Sequence, residues 1–220
     1  MVNACFLFLF PVLKFGIRKY KTFYSSFENM KVRCECAEMN DYEREYHDTE
    51  WGVPEHDDRK LFEFLILEGA QAGLSWDTIL KRRENYRKAF DHFDYKKVAA
   101  YDESKIEELL QDSGIIRNRR KVLSAVNNAK VFIKVRKEFG SFDNYLMKFL
   151  PEGKPIQNSW KSMSEIPART DLSEKISKDM KKRGFSFVGP TIVYAFMQAM
   201  GMVNDHVVDC FRHEECGKMK

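Results

Sequence analysis

This sequence lacks what would place a chain across a membrane, in a disulfide scaffold or in a β fold. The apolar run from Ala4 to Leu13 is too short to span a bilayer and is interrupted by Pro11. No basic residue precedes it and no small-residue cleavage site follows, so it matches a secretory signal poorly. Cysteine is sparse: five residues (Cys5, Cys34, Cys36, Cys210, Cys216), an odd number, lie scattered through a chain too long to need staples. A disulfide framework is therefore not expected, and a reduced interior with some thiols on a metal fits better. No alternating strand pattern of useful length is present, and no internal repeat. Excess charge is also small. A formal +4 permits a polyanionic partner without requiring one, so the placement of the cations matters more than their sum.

What is present is the composition of a soluble globular protein, 44% hydrophobic and 32% charged. We expect one helical domain over residues 33–216, an N-terminal extension over 1–32 outside the fold, and a short tail over 217–220. In the extension, Lys14, Arg18, Lys19 and Lys21 come without acids until Glu28, which leaves an organelle-targeting segment open. Met30 is an alternative start. Otherwise a monomeric, intracellular protein, cytoplasmic or nuclear and without a membrane partner, is expected.

From Arg33 onward the apolar spacing is helical and the class is all-α. Asp57 and Asp58 can cap a helix from Lys60 to Glu68. Asp77 can cap a second, Thr78 to Phe90, with Lys81, Arg82, Arg83 and Arg87 on its outer face. A third runs from Glu103 to Gln111, with Ile106, Leu109 and Leu110 inward. A long fourth follows Arg117, buries Val122, Val126, Ala129 and Ile133, and ends near Gly140. Ser141 opens a shorter segment through Leu150. Residues 151–169 read as loop. Leu172, Ile176 and Met180 mark a helix stopped by Gly184 in the left-handed cap position. Val188 to Met202, apolar nearly all round, is the expected central buried helix.

Four stretches carry chemistry. Glu68-Gly69-Ala70-Gln71-Ala72-Gly73-Leu74-Ser75-Trp76 closes an apolar helix with a carboxylate, two glycines and an indole. A buried carboxylate needs a partner, and an acid, a tight turn and an aromatic wall suggest a pocket for a flat, cationic ligand. A helix end with a surface Glu and a core Trp fits the same residues. Asp205-His206-Val207-Val208-Asp209-Cys210 sets a His and a Cys four apart, on a helix face or turn, which is half of a tetrahedral zinc site. Cys34, Cys36 and His47 are available for the other half; Cys34, His47, His206 and Cys210 make a closed, structural set. A satisfied His beside an ordinary buried Cys fits the spacing equally. Asp112 to Lys121 joins two helices through Gly114 and then concentrates cations at a helix start, where the helix dipole opposes them. Backbone N–H groups around Gly114 to Arg117 beside those cations can hold a phosphate; a solvated basic turn is the plainer alternative. Finally, Tyr46-His47-Asp48-Thr49-Glu50-Trp51-Gly52-Val53-Pro54 sets two aromatics around one candidate ligand, which can preorganise an aromatic wall or be plain core.

Taken with Arg33-Cys34, Lys182-Arg183-Gly184-Phe185 through Gly189 and Asn204-Asp205-His206-Val207-Val208, these blocks resemble 3-methyladenine DNA glycosylase I, the Tag family. The resemblance covers about Arg33 to Cys210, in the family's order. It implies a helix-hairpin-helix fold and removal of 3-methyladenine from alkylated double-stranded DNA. It also implies structural Zn2+ on Cys34, His47, His206 and Cys210, joining the N- and C-terminal segments. The base pocket falls to Glu68, Tyr46 and Trp76, with Trp51 beside them. The hairpin falls to Ser113 to Arg119, with Gly114, Ile116, Arg117 and Arg119 on DNA. Gln71 to Leu74, with Gly73 at the turn, resembles the loop that fills the gap left in the duplex. Two positions depart from the family's pattern. Cys36 stands where an aromatic is usual, removing a pocket wall and offering the metal a competing thiolate, and Glu43 replaces what is often a tyrosine.

A base must leave the stack before its glycosidic bond can be reached, at a cost of a few kcal/mol that is least for damaged bases. A cationic 3-methylated adenine stacked between Tyr46 and Trp76 gains roughly 0.5–2 kcal/mol. Glu68 is assigned to recognition and to support of the developing sugar cation. The superfold's usual catalytic Asp is absent from the Tag family as well. Three other readings remain: a non-catalytic DNA-binding module, a hydrolase using zinc directly, and a lyase acting through a lysine Schiff base, although no lysine sits in the pocket motifs.

Overall fold

Helices begin where the sequence offers a cap. The structure, a computed structural model, describes residues 31–219, and Arg33–Lys220 is one compact unit. The expected extension therefore lies outside the described residues except at Lys31 and Val32. Along the chain run α1 (Asp41–Thr49), α2 (Asp58–Gln71), α3 (Trp76–Leu80), α4 (Arg83–Ala89), α5 (Tyr95–Ala99) and α6 (Glu103–Gln111). They are followed by α7 (Arg119–Phe139), α8 (Phe142–Met147), α9 (Asp171–Arg183), α10 (Pro190–Ala199) and α11 (Phe211–Gly217). Asn40, Asp57, Ser75, Asp94, Asp102, Asn118, Ser141 and Thr170 each accept a backbone N–H at a helix start, a bond worth about 1 kcal/mol. The protein is mostly helical, as its apolar spacing predicts. Within the expected loop 151–169, Ile156 and Gln157 make a two-residue parallel pairing with Val203 and Asn204.

Several boundaries differ from expectation. The second helix does not run unbroken from Thr78 to Phe90. Ser75, not Asp77, caps α3, and the chain breaks at Lys81 and Arg82 before α4. The Asp77 carboxylate is engaged instead by Asn40 Nδ2 at 2.9 Å and Lys81 Nζ at 2.7 Å. Arg83 is not on an outer face: it is buried, bonding Glu63 at 2.6 Å and Glu50 at 2.6 and 2.8 Å. In α7, Phe132 takes the core position and Ile133 is only half-buried. The expected central helix is shorter, Pro190–Ala199, and exposes Thr191.

The enclosed helix is α2, in which every residue from Leu61 to Ala70 is buried. It packs against α3, α7, α8 and α10, so no side of it remains for solvent. Phe62 sits edge-on to Phe132, which stacks on Phe142 at 4.3 Å. Burial on all sides forces two carboxylates, Glu63 and Glu68, into the interior. Those two residues set up the site.

Candidate active site

Glu63 and Glu68 lie on the same helix and meet different fates. Glu63 accepts from Arg83 Nε at 2.6 Å and Arg87 Nε at 3.0 Å. Glu68 is 4% exposed, and its Oε2 is buried without a hydrogen-bond partner. Burial alone pushes the Glu68 carboxyl up to about 8, so at neutral pH the enclosed group keeps its proton. The expected anion is thus a neutral acid until a cation approaches and favours the charged form. Nearby, Trp76 Nε1 is a second buried atom with no partner. Buried polar atoms are paired in the great majority of cases, and two orphans around one helix end mark a place built for something else.

Tyr46, buried on α1, and Trp76, at the start of α3, have ring centroids 5.4 Å apart and tilted by 53°. Both also pack on Phe64. They form one continuous wall, not two facing ones, because 5.4 Å leaves no slot for a third ring. Beside this wall opens a cavity of about 490 Å³, lined among others by Tyr46, Trp51 and Trp76. Glu68 is not part of that lining: α2 is covered on all sides, and its carboxyl lies within the packed layer. Burial followed by the nearby Glu68 carboxyl raises the Tyr46 phenol well above its ordinary range.

Cys36 and Glu43 also line the cavity. Burial, with Glu43 adding to it, pushes the Cys36 thiol up to about 11; Cys36 lines the cavity and is not one of the four side chains that converge behind it. Glu43 is 9% exposed, and its carboxyl is raised by burial and then by Asp77. The far side of the cavity comes from α10 (Thr191, Tyr194, Ala195, Gln198) and from Met163 to Ala168. The exposed Thr191 edge of α10 follows from this: it faces the opening.

Behind Trp51, four buried side chains converge. One ligand atom each from Cys34, His47, His206 and Cys210 lies within 4.8 Å of the others. His206 Nδ1 is 3.2 Å from His47 Nε2, 3.6 Å from Cys34 Sγ and 3.7 Å from Cys210 Sγ, and Cys210 Sγ is 3.4 Å from His47 Nε2. A tetrahedral ion with the usual metal–nitrogen and metal–sulfur lengths has edges of about 3.3 Å between nitrogens and about 3.6 Å between nitrogen and sulfur. The four edges among these atoms given above fit that figure. Each ring's other nitrogen is occupied: His47 Nδ1 by Asp48 at 2.9 Å, itself held by Arg33, and His206 Nε2 by the Trp51 carbonyl at 2.9 Å. Such outer contacts fix which nitrogen faces inward. A hydrogen bond from Cys34 holds the Cys210 thiol well below its ordinary range, against burial, with His206 and His47 adding to it. His206 and Cys210 stand on the turns between the second strand and α11, not on a helix face.

Between α6 and α7 the expected phosphate loop is only partly free. Gly114 N–H donates to Asp112 Oδ1 at 2.7 Å, Ile115 N–H to the Asp112 carbonyl, and Ile116 N–H to the Tyr86 hydroxyl at 3.1 Å. Arg119 is tied to Glu103 and Glu107. Arg117 is exposed at the turn. The loop after α2 projects Leu74, an exposed large apolar residue, next to Gly73 at φ +79°. Lys121 reaches across from α7 to the Ala70 and Ala72 carbonyls, both at 2.8 Å.

Residues 36–213 match the profile of a family described as methyladenine glycosylase. The chain belongs to the methyladenine glycosylase family. It is 52% identical over 165 residues to DNA-3-methyladenine glycosylase 1 of Escherichia coli (strain K12), covering 75% of this chain and 88% of that relative. It is 46% identical over 181 residues to DNA-3-methyladenine glycosylase of Haemophilus influenzae (strain ATCC 51907 / DSM 11121 / KW20 / Rd), covering 82% and 97%. Its structure is similar to a crystal structure of 3-methyladenine DNA glycosylase I (TAG), with a TM-score of 0.79, 47% identity and coverage of 82% and 98%.

In this member of the methyladenine glycosylase family, sequence reasoning missed the groups that hold the site in place. Asp205, read only as part of a motif, is buried and accepts from Asn158, Trp160, Tyr194 and Gln198 at 2.6 to 2.8 Å. It fastens the His206 turn to α10 and to the 151–169 segment. A buried Asp beside His206 was the available signal. Lys121 and the Arg83–Glu63 pair carried none, since their partners are distant in sequence.

Proposed function

We propose that this chain hydrolyses the N-glycosidic bond of 3-methyladenine in alkylated double-stranded DNA, as a monofunctional base excision repair glycosylase. The observation that carries the reading is Glu68: a carboxyl wholly enclosed at a helix end, one oxygen unpartnered, beside an aromatic wall and a cavity. Its similarity to relatives named DNA-3-methyladenine glycosylases supports the substrate. In this reading α6, the Gly114 turn and α7 form the helix-hairpin-helix grip on the backbone, through Arg117 and the amides at the start of α7. Leu74 and Gln71 fill the stack that the flipped base leaves.

The alkylated base carries positive charge while attached to the sugar. Its approach favours the ionised form of Glu68, whose proton passes to solvent water, and the carboxylate then stabilises the base and the sugar cation that develops. The C1′–N9 bond breaks with its electron pair passing to the base, which leaves neutral. Water adds to C1′ and loses a proton. No strong general acid is needed, because the leaving group is already activated. Ligand contact with Glu68 requires the packed layer over it to rearrange, which restricts the chemistry to bases that repay that cost.

Cys34, Cys210, His47 through Nε2 and His206 through Nδ1 would hold zinc. Four protein ligands leave no position for water, so the ion's part is structural. The deciding experiment is to incubate the protein with alkylated duplex DNA and identify the released base. Release of 3-methyladenine is expected; DNA binding with no base released would make the protein a binding module instead.

A further inference from the structure

On the side of α7 beyond the hairpin lies an open cleft of about 640 Å³, separate from the aromatic cavity. Its polar edge is Arg120, Ser124 and Asn127 from α7, with Lys181 and Ser186 opposite, and Phe187 also lines it. No carboxylate is in its lining, and neither Arg120 nor Lys181 has an ion-pair partner among the described residues. Arg119 and Arg183, close by in sequence, are by contrast both paired.

The wall opposite α7 is fixed in place. Asn128 bonds both the Ser186 carbonyl (2.9 Å) and the Ser186 N–H (2.8 Å), Asn127 bonds the Gly184 carbonyl (2.8 Å), and the Ser177 hydroxyl bonds the Val188 carbonyl (2.6 Å). Between those ties Phe187 sits at φ +55°, a conformation that strains a non-glycine residue and persists only where its surroundings enforce it. Its Cβ packs against Gly69, where an added Cβ would be 3.3 Å away. The cleft is therefore braced against the helix end that bears Glu68, and Arg120 connects it to the hairpin.

We propose that this cleft holds the sugar–phosphate backbone of the lesion-bearing strand past the flipped nucleotide, with Arg120 and Lys181 on phosphates and Phe187 against a sugar. The proposal rests on the glycosylase reading, since it names a second grip on the same strand. Two cations without ion-pair partners, the Ser186 hydroxyl and a lining free of acids suit a phosphodiester and repel nothing in it. A strand held at both the hairpin and this cleft passes over the end of α2.

The test is equilibrium binding of a duplex oligonucleotide containing a reduced abasic site, measured across a salt series. For Lys181→Ala the slope of log affinity against log salt should become shallower by about 0.9, one phosphate's share. Lys181→Gln should match it, and Arg120→Ala combined with Lys181→Ala should lose about twice as much. Metal content and Tm should stay at the wild-type values. Lys154→Ala, outside the cleft, should leave the slope alone. An unchanged slope in both Lys181 variants overturns the proposal, as does a fall in saturated excision rate without a change in slope. Base release by the wild type is scored separately: a protein that binds with the expected slopes but releases nothing loses the enzymatic reading and keeps the cleft.

Discussion

Two carboxylates share one buried helix, and their partners separate their tasks. Glu63 is locked between Arg83 and Arg87 and serves packing. Glu68 has no such lock, and its pKa is raised from 4.5 to about 8 by burial. The folded state thus binds the proton more tightly than the unfolded chain does. Its contribution to stability is fully present below the unfolded value and is lost as pH rises through about 8. Glu68→Gln, which cannot ionise, should remove that decline; identical curves of Tm against pH for wild type and variant would refute the buried acid. The same variant should cut excision by a hundredfold or so, the order of one lost electrostatic stabiliser, while duplex affinity survives. Unchanged turnover would take Glu68 out of the mechanism.

Among the elements, the loop between α2 and α3 is held from outside itself. Lys121 caps the α2 carbonyls from α7, so the hairpin helix and the Leu74 loop move as one body. Burial lowers the Lys121 pKa, yet its two carbonyl bonds favour the charged form. Lys121→Met keeps the aliphatic stem and removes both bonds. Excision should fall several-fold while Tm changes little, and a rate equal to wild type would show that the loop needs no anchor. Gly73 turns that loop at φ +79° with open space around its missing Cβ. Gly73→Ala should cost about 1 kcal/mol from backbone strain alone, read by denaturant unfolding, and should misdirect Leu74.

For the molecule as a whole, the Cys34, His47, His206 and Cys210 cluster ties residues near the start of the compact unit to those near its end. Losing one ligand leaves the other three buried without their partner. Cys210→Ala should abolish stoichiometric zinc, measured by elemental analysis, and lower Tm; full metal content in that variant would refute the site. Chelation of the wild type should lower Tm in the same direction, with excision lost only as the protein unfolds. Among the described residues no helix is long and apolar enough to cross a membrane.

Helix starts such as those at Asp57 and Ser141 were legible because a cap and the amide it satisfies lie within three residues of each other. The His206 and Cys210 pair, the Glu68 to Trp76 block and the glycine turn stood out in the sequence because each lies in a short span; that Cys34 and His47 meet that pair is decided by the fold. Left to the folded chain was everything that depends on distant partners. Arg83 and Glu63 found each other inside the protein, Asp205 gathered four donors, Cys36 went to the cavity and not to the metal cluster, and α2 took the central place expected of α10. Residue types and local spacing decide which groups want a partner. Only packing decides which of them are refused one, and at the end of α2 those are the Glu68 carboxyl and the Trp76 indole.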